Sequence, residues 1–386
     1  MSGAYWSTER ASRAALTAVC VPGDSRLHDQ LEQLGAAELL AGLRESKADN
    51  QWTRRARIVD IDAMIATAAG LKMRFVMPSD DEWPNRLDDL DHCAEVGGMR
   101  GRPIGLWVRG AGHLAQSTEH SIAIVGARAA TNYGASIATR IAHNLSDGTL
   151  ADYCVISGGA YGIDAAAHRG AMLAGTTVGV FAGGLHEPYP KANSALFDRM
   201  VAQHVVVSEA PPGSGQTKPG FLARNRLIAA MAEATIVIEA AARSGALNSA
   251  AWADALSRPV LAFPGPVNSQ TSVGCHRLIR DQRAQLVSDE RDILAMLSPV
   301  SPDHECVVDG EPRPIDGLDR DTLAVHEALP ARGTRSVDEI ALRAGLRSTQ
   351  AMAILAELEL LGMAARNEQH RWRLKRSANG VVPMAG

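Results

Sequence analysis

From Ser121 onward the chain alternates between short, unbroken apolar runs and helical stretches. The runs are "SIAIVG", "CVISG", "TTVGVFAGG", "VVVSE", "TIVIEA" and "PVLAFPG", each closing on small or polar residues. Between them lie helical stretches such as Tyr133–Leu145, Ile163–Leu173, Arg224–Ala232 and Ala246–Leu256. A strand that is apolar at every position has both faces covered, as in a parallel sheet with helices packed above and below. The pattern predicts an α/β fold, a Rossmann-like doubly wound parallel sheet, spanning about Gly105 to Leu297. A sheet of this kind holds its ligand beyond the carboxyl ends of its strands.

The flanks read differently. The first 70 or so residues are rich in alanine and leucine at helical spacing (Leu27, Leu31, Leu34, Leu39, Leu40, Leu43), punctuated by Gly35 and Gly42, and predict a small bundle of short helices. "IGLWVRG", residues 104–110, reads as a strand. Residues 298–318 hold Pro299, Pro302, Pro312 and Pro314 among several acids, a linker composition. Two helical stretches, a longer helix at Ser348–Leu361 and the basic ending "ARNEQHRWRLKR" follow, in winged-helix order.

The chain's 386 residues supply a core for two or three domains. A net charge of −4 excludes a uniformly basic coat but leaves room for a local basic rim. Cys20, Cys93, Cys154, Cys275 and Cys306 are dispersed and odd in number, with no CxxC pair, so neither a metal site nor a disulfide framework is expected. The run Ala14–Pro22 imitates a leader behind Arg10 and Arg13, but it is short and preceded by Glu9. No stretch approaches the ~20 apolar residues that span a bilayer. The expected location is cytoplasmic, with no membrane partner.

The loops after the strands form a coherent set. They are Gly126-Ala127-Arg128, then Ser157-Gly158-Gly159 through Tyr161 and Gly162, then Gly183-Gly184, then a long loop ending in Phe221 through Arg224-Asn225-Arg226, and Arg243-Ser244-Gly245. In a parallel sheet all five share one edge, which then carries Arg128, Arg224, Arg226 and Arg243 among glycines. Arginine forks beside exposed backbone N–H groups are suited to phosphate.

The phosphate is not that of a nicotinamide dinucleotide. Gly158-Gly159-x-x-Gly162 departs from GxGxxG, and the next strand, ending "VFAGGL", offers no carboxylate for a ribose. No GxxxxGK[ST] occurs, so a P-loop is absent. Asp164 and His168 stand four apart on one helix and could form an acid–base pair, but a helix cap and a packed imidazole explain them better. No G-x-S-x-G elbow surrounds Ser157 or Ser244, and Cys275 beside His276 reads as a buried thiol. No catalytic residue and no cofactor is expected.

"GARAATNYG", "SGGAYGIDAAAH", "GGLHEPYPKAN", "SEAPPG", "FLARNRLIAAMAEATIVIEAAARSGALNSAAWA", "PVLAFPGPV" and "GCHRLI" resemble, in unbroken order over most of residues 70–300, the successive motifs of the DNA-processing protein A (DprA/Smf) family. The resemblance implies a helical amino-terminal domain (SAM- or HhH-like) over 1–72, a Rossmann-like DNA-binding domain over 73–297, a linker over 298–318, a winged helix over 319–376 and a tail over 377–386. It also implies a homodimer through the Rossmann-like domain that binds single-stranded DNA and hands it to the RecA recombinase, notably in natural transformation, without cofactor or catalysis. Arg128 occupies the arginine of the family's G-[SA]-R motif, a phosphate contact. Ser157, Gly158, Gly162 and Asp164 match its SG-x-A-x-GID loop, and Arg224, Asn225 and Arg226 its RNR. Tyr161 stands where many members carry lysine, which trades a cation for a ring able to stack on a base. Phe221 is a second aromatic available to bases.

Two other classes compete. The same Rossmann variant resembles phosphoribohydrolases of the lysine-decarboxylase-like type, whose PGG-x-GT-x-x-E loop supplies a catalytic glutamate. The corresponding Ser244–Ala251 has no acid before Asp254. A winged-helix transcription regulator is the third class, and the basic ending suits DNA backbone and protein contact equally. For the dimer, Ala246, Ala250, Ala253 and Leu256 form the candidate stripe, although a stripe on any single helix ordinarily packs on its own sheet.

Overall fold

Strand residues of alternating parity face opposite helical layers, which is why the runs are apolar throughout. On one face Ala123, Val125, Ile156, Val178 and Val207 meet Leu227, Ile228 and Trp252. On the other Ile122, Ile124, Val155 and Ile236 meet Ala138, Ile141 and Ala167. Each such valine, leucine or isoleucine contributes about 1.5–3 kcal/mol by leaving water. The structure, a computed structural model, describes residues 5–297, 315 and 317–375. The tail 377–386 and nearly all of the linker 298–318 lie outside the described residues.

The chain divides into two units, Met1–His304 and Glu305–Gly386. The first carries strands β1 (Met73–Val76), β2 (Leu106–Gly110), β3 (Ser121–Val125), β4 (Cys154–Ser157), β5 (Thr177–Phe181), β6 (Val205–Ser208), β7 (Ala234–Val237), β8 (Val260–Ala262) and β9 (Gln285–Leu286). They form one sheet in the order β1-β2-β6-β5-β4-β3-β7-β8-β9. From β6 to β9 all neighbours are parallel. At one edge β2 runs antiparallel to β6, and β1 antiparallel to β2. The strand order reverses at β3, whose neighbours are β4 and β7, so a crevice opens beyond the carboxyl ends of β3 and β7.

The amino-terminal helices Thr8–Val19, Ser25–Leu34, Ala36–Glu45, Gln51–Ile58 and Ile61–Gly70 are short because capping residues interrupt them. Ser7, Asp24, Asn50 and Asp60 each accept a backbone N–H of the helix that follows. The leader-like run is a core segment, with Ala14, Ala15, Leu16 and Val19 buried. Its helix is fastened to the sheet edge: Trp107 Nε1 donates to Thr17 Oγ1 at 3.1 Å, and Arg10 pairs with Asp80 at 2.6 Å. Among the described residues no helix is long and apolar enough to cross a membrane.

The second unit holds helices Arg320–Ala328, Val337–Ala344 and Ser348–Leu360, then the hairpin β10 (Ala364–Arg366) and β11 (Trp372–Leu374). Val325, Ile340, Leu355, Leu358 and Trp372 form its core. This is a winged helix.

Candidate nucleic-acid interface

The crevice at the switch point is an open cleft of about 740 Å³. Nine of the residues expected at the rim line it: Gly126 and Arg128 after β3, Asp164, then Phe221, Arg224 and Asn225 from the helix Lys218–Met231, and Arg243, Ser244 and Gly245 after β7. Arg128 and Arg243 are exposed. The guanidinium of Arg128 lies 4.8 Å over the Phe221 ring, a contact that fixes the cation without neutralising it. Lys218, at the start of its helix, adds a third exposed cation to the lining.

The other two arginines overturn the expectation of a solvent-facing quartet. Arg224 is 7% exposed, and its Nη1 donates to the carbonyls of Gly158 and Val180, both at 2.6 Å. Burial pulls its guanidinium down to about 10, Asp164 opposes that shift, and the charge of Arg128 adds to it. Arg226 is 1% exposed and turns away from the cleft. It donates to Glu209 from both terminal nitrogens, at 2.6 Å from Nη2, and to the Gly101 carbonyl at 3.1 Å from Nε. A guanidinium with so many carbonyl and carboxylate acceptors within reach folds inward rather than waiting in water for a phosphate. Asn225 also works internally, its Nδ2 donating to the Gly245 carbonyl at 3.3 Å and to Asn248 Oδ1 at 3.2 Å.

The loop Ser157–Gly162 is likewise turned inward. Ser157 is buried and donates to the Ile124 carbonyl at 2.6 Å. A side chain at 158 would collide with the Arg224 guanidinium. Gly162, at φ +75°, lets the loop press against the carbonyls of Ala127 and Arg128, and Ile163 N donates to Ala127 at 3.2 Å. Asp164 is not the cap of its helix, since Gly162 holds that place. Its carboxylate instead accepts the loop amide of Ala160 at 3.4 Å. Burial raises its pKa, while Arg224, the amides of Ala160 and Gly158, and Arg128 oppose the rise. An internal carboxylate therefore occupies the place where the glycine pattern suggested a ligand phosphate. Tyr161 is exposed, with no aromatic or cation partner in contact with its ring among the described residues. Gly158, Gly183 and Gly184 line a smaller recess beside the cleft with Tyr189 and Phe221, and Gly159 lines another beneath Tyr189.

No acid–base pair forms at the cleft. His168 is sealed from it, bonded through Nδ1 to Thr177 Oγ1 at 2.7 Å. Burial, aided by the charges of Arg224 and His204, holds its pKa down at about 3. Among the described residues Asp164 is the only carboxylate lining the cleft, and Asp254 lies apart from it, exposed and paired with Arg283. Cys275 is buried, as expected, and its thiol is pushed up to about 12 by burial. Among the described residues no group of His, Cys, Asp and Glu is arranged to hold a metal ion.

Glu239, Lys218 and Tyr189 escape the sequence reading. Glu239 is buried and accepts from Thr131 N at 2.9 Å, Thr131 Oγ1 at 2.7 Å and Thr271 Oγ1 at 3.0 Å. It thereby pins the loop that carries Arg128. One acid closing an otherwise apolar run was its only sequence signal.

In the winged helix, the helix Ser348–Leu360 contains no lysine or arginine, and Glu357 and Glu359 are exposed on it. Ser348 Oγ donates to Asp338 Oδ1 at 2.5 Å, which sets a carboxylate at the helix start. Exposed cations lie at Arg320, Arg332, Arg343 and Arg347 and on the wing at Arg366, Arg373 and Lys375, while Arg371 is held by Glu339 at 2.9 Å. The dimer stripe is also corrected: Ala246, Ala250 and Ala253 are buried inside their own unit, and Leu256 packs against the same core.

Comparison with known proteins agrees with this architecture. Residues 74–298 match the family described as DNA recombination-mediator protein A, and residues 309–369 match the DprA winged helix domain. A curated DNA processing protein DprA of Mycobacterium tuberculosis is 40% identical over 390 residues, covering 97% of this chain and 96% of the relative. The X-ray structure of DNA processing protein A from Streptococcus pneumoniae superposes with a TM-score of 0.62 at 29% identity, over 76% of this chain and 99% of that one. DNA processing protein A from Helicobacter pylori, solved for its single-stranded DNA binding mode, has a TM-score of 0.50 at 24% identity over 58% of this chain and 95% of that one, a likeness of fold.

Proposed function

The chain belongs to the DNA recombination-mediator protein A family, and on that premise we propose that it binds single-stranded DNA across the switch-point cleft and delivers the strand to the RecA recombinase. One observation carries the DNA reading. Arg128, Arg243 and Lys218 are exposed around one cleft, and none of them has a carboxylate partner among the described residues. Three open cations on a concave surface attract a polyanion, and Asp164, the carboxylate lining the cleft among the described residues, is buried with its pKa raised by burial. Family membership supports the recombination role and the transfer to RecA. The protein acts by binding rather than catalysis: Ser244–Ala251 has no acid, and His168 is buried with its pKa held down.

One cleft holds only a few nucleotides. A homodimer through the Rossmann-like domain joins two clefts into a longer track and raises affinity through effective concentration. Exposed Val267, Val273 and Leu286, at the β8–β9 end of the sheet, supply the apolar surface for it.

The test compares a labelled single strand with its duplex at rising salt. The expected result is tighter retention of the single strand, with affinity falling steeply as counterions are released. A flat salt response refutes the reading.

A further inference from the structure

We propose that Tyr189 is the base-stacking platform of the cleft, and that it makes the site select strands with unpaired bases. This rests on the DNA reading above and names what the cleft recognises besides phosphate. Three groups stand in sequence across it. The Arg128 guanidinium lies 4.8 Å over the Phe221 ring, and the Tyr189 ring centre lies 5.6 Å from that of Phe221, tilted by 51°. Phe221 is therefore spent on holding its two neighbours, one a cation and the other a ring. Tyr189 remains 40% exposed and lines the cleft.

Tyr189 is also held in place before any ligand arrives. Pro188 and Pro190 restrict the backbone on both sides. Asn193 Nδ2 donates to the carbonyls of Gly159 at 3.1 Å and Ala160 at 3.2 Å, tying the Tyr189 segment to the glycine loop. Tyr161, exposed on the glycine loop, has no such ring contact among the described residues, so its side chain gives up more freedom on stacking. A prepositioned ring gives more affinity per stacked base.

The selectivity follows from geometry. A phosphate bound at Arg128 is common to single strand and duplex. A free base face is not, because in a duplex each base is paired and covered by its neighbours. A ring beside the phosphate contact is therefore satisfied only by an unpaired strand, whatever its sequence.

The experiment uses the full chain and fluorescence anisotropy with three labelled probes: an oligothymidine strand, the same backbone with abasic sites, and a duplex. The wild type is expected to bind the intact strand several-fold more tightly than the abasic one. Tyr189→Ala should lose about 5- to 160-fold on the intact strand, the range for one stacked base. It should leave the abasic affinity and the salt slope unchanged, and Tyr189→Trp should restore the intact affinity. Equal wild-type binding of intact and abasic strands overturns the platform and leaves the phosphate cleft standing. Equal losses on both probes in Tyr189→Ala, with an unchanged melting temperature, make Tyr189 a scaffold and overturn it too. A wild type that binds no strand overturns the cleft reading and this inference together.

Discussion

Arg224 and Gly158 share one space. The guanidinium occupies the volume that a side chain at 158 would need, and Nη1 donates to the Gly158 carbonyl at 2.6 Å. A residue whose motif suggests a phosphate contact is thus first a buried strut of the glycine loop, while Arg128 stands free above it.

That difference separates two alanine variants. Arg128→Ala should keep its melting temperature and lose strand affinity by about 1–3 kcal/mol, with the salt slope reduced by about 0.7 for one phosphate fewer on a single strand. Arg224→Ala leaves two buried carbonyls without a donor and should cost about 2–4 kcal/mol of folding stability. Paired thermal melts and anisotropy titrations check both, and equal melts for the two variants would contradict the buried role.

The Arg226–Glu209 pair is 1% and 11% exposed at its two side chains. Removing one partner strands a buried charge, so Glu209→Ala and Arg226→Ala should each cost about 3–5 kcal/mol, and the double variant should cost less than their sum. Urea denaturation of the four proteins closes this cycle.

His168 sets an acid limit on stability. Its folded pKa of about 3 lies below the ordinary 6.5, so between these values the unfolded chain takes up a proton that the folded chain refuses. Stability is full above about 6.5 and should fall as pH drops toward 3, by up to about 1.4 kcal/mol per pH unit. In His168→Gln this slope should flatten. Asp164, with its raised pKa, acts with the opposite sign but is present in both proteins, so the comparison isolates the imidazole. Urea unfolding from pH 7 to pH 4 measures it.

A chain ending at Leu297 should keep its single-strand affinity within about twofold. The helix Ser348–Leu360 carries no lysine or arginine and exposes Glu357 and Glu359, a poor surface for a polyanion, whereas the cations of the cleft all precede Leu297. Anisotropy on the shortened chain tests this, and a large loss would place the wing on the strand.

Leu286→Asp combined with Val267→Asp should lower the solution mass from dimer to monomer, because 53% and 91% exposure make these residues available to a partner. Light scattering at tens of micromolar reads the result. An unchanged dimer would move the interface elsewhere.

The sheet was legible because its central strands are buried on both faces, and a continuous apolar run such as Ser121–Val125 has few other uses. The positions of the loops followed from that. What the arginines do in those loops did not, because acceptors remote in sequence decide it: Gly158 lies 66 residues from Arg224, and Gly101 lies 125 from Arg226. The stripe Ala246–Ala253 was ambiguous for a related reason. Small residues at helical spacing suit a neighbouring helix of the same chain, here Lys218–Met231, as well as they suit another copy. Edge strands β1 and β9 were missed because they lack the continuous apolar run of the central strands: β1 reads Met-Arg-Phe-Val, and both residues of β9 are exposed. Glu239 was visible as a letter, but its three acceptor bonds depend on Thr131 and Thr271 meeting at one point.

Arg224, Asn225 and Arg226 are consecutive on one helix, so their side chains leave its axis about 100° apart. Each reaches a different part of the molecule: the glycine loop, the Gly245 loop, and the Glu209–Gly101 region on the far side. One turn of helix therefore acts as a three-way junction. A substitution that shifts this turn therefore disturbs both cleft loops and the Glu209–Gly101 contacts together. The Arg226 arm ends in a recess lined also by Thr17, Cys20 and His28, so the same turn borders the amino-terminal helices.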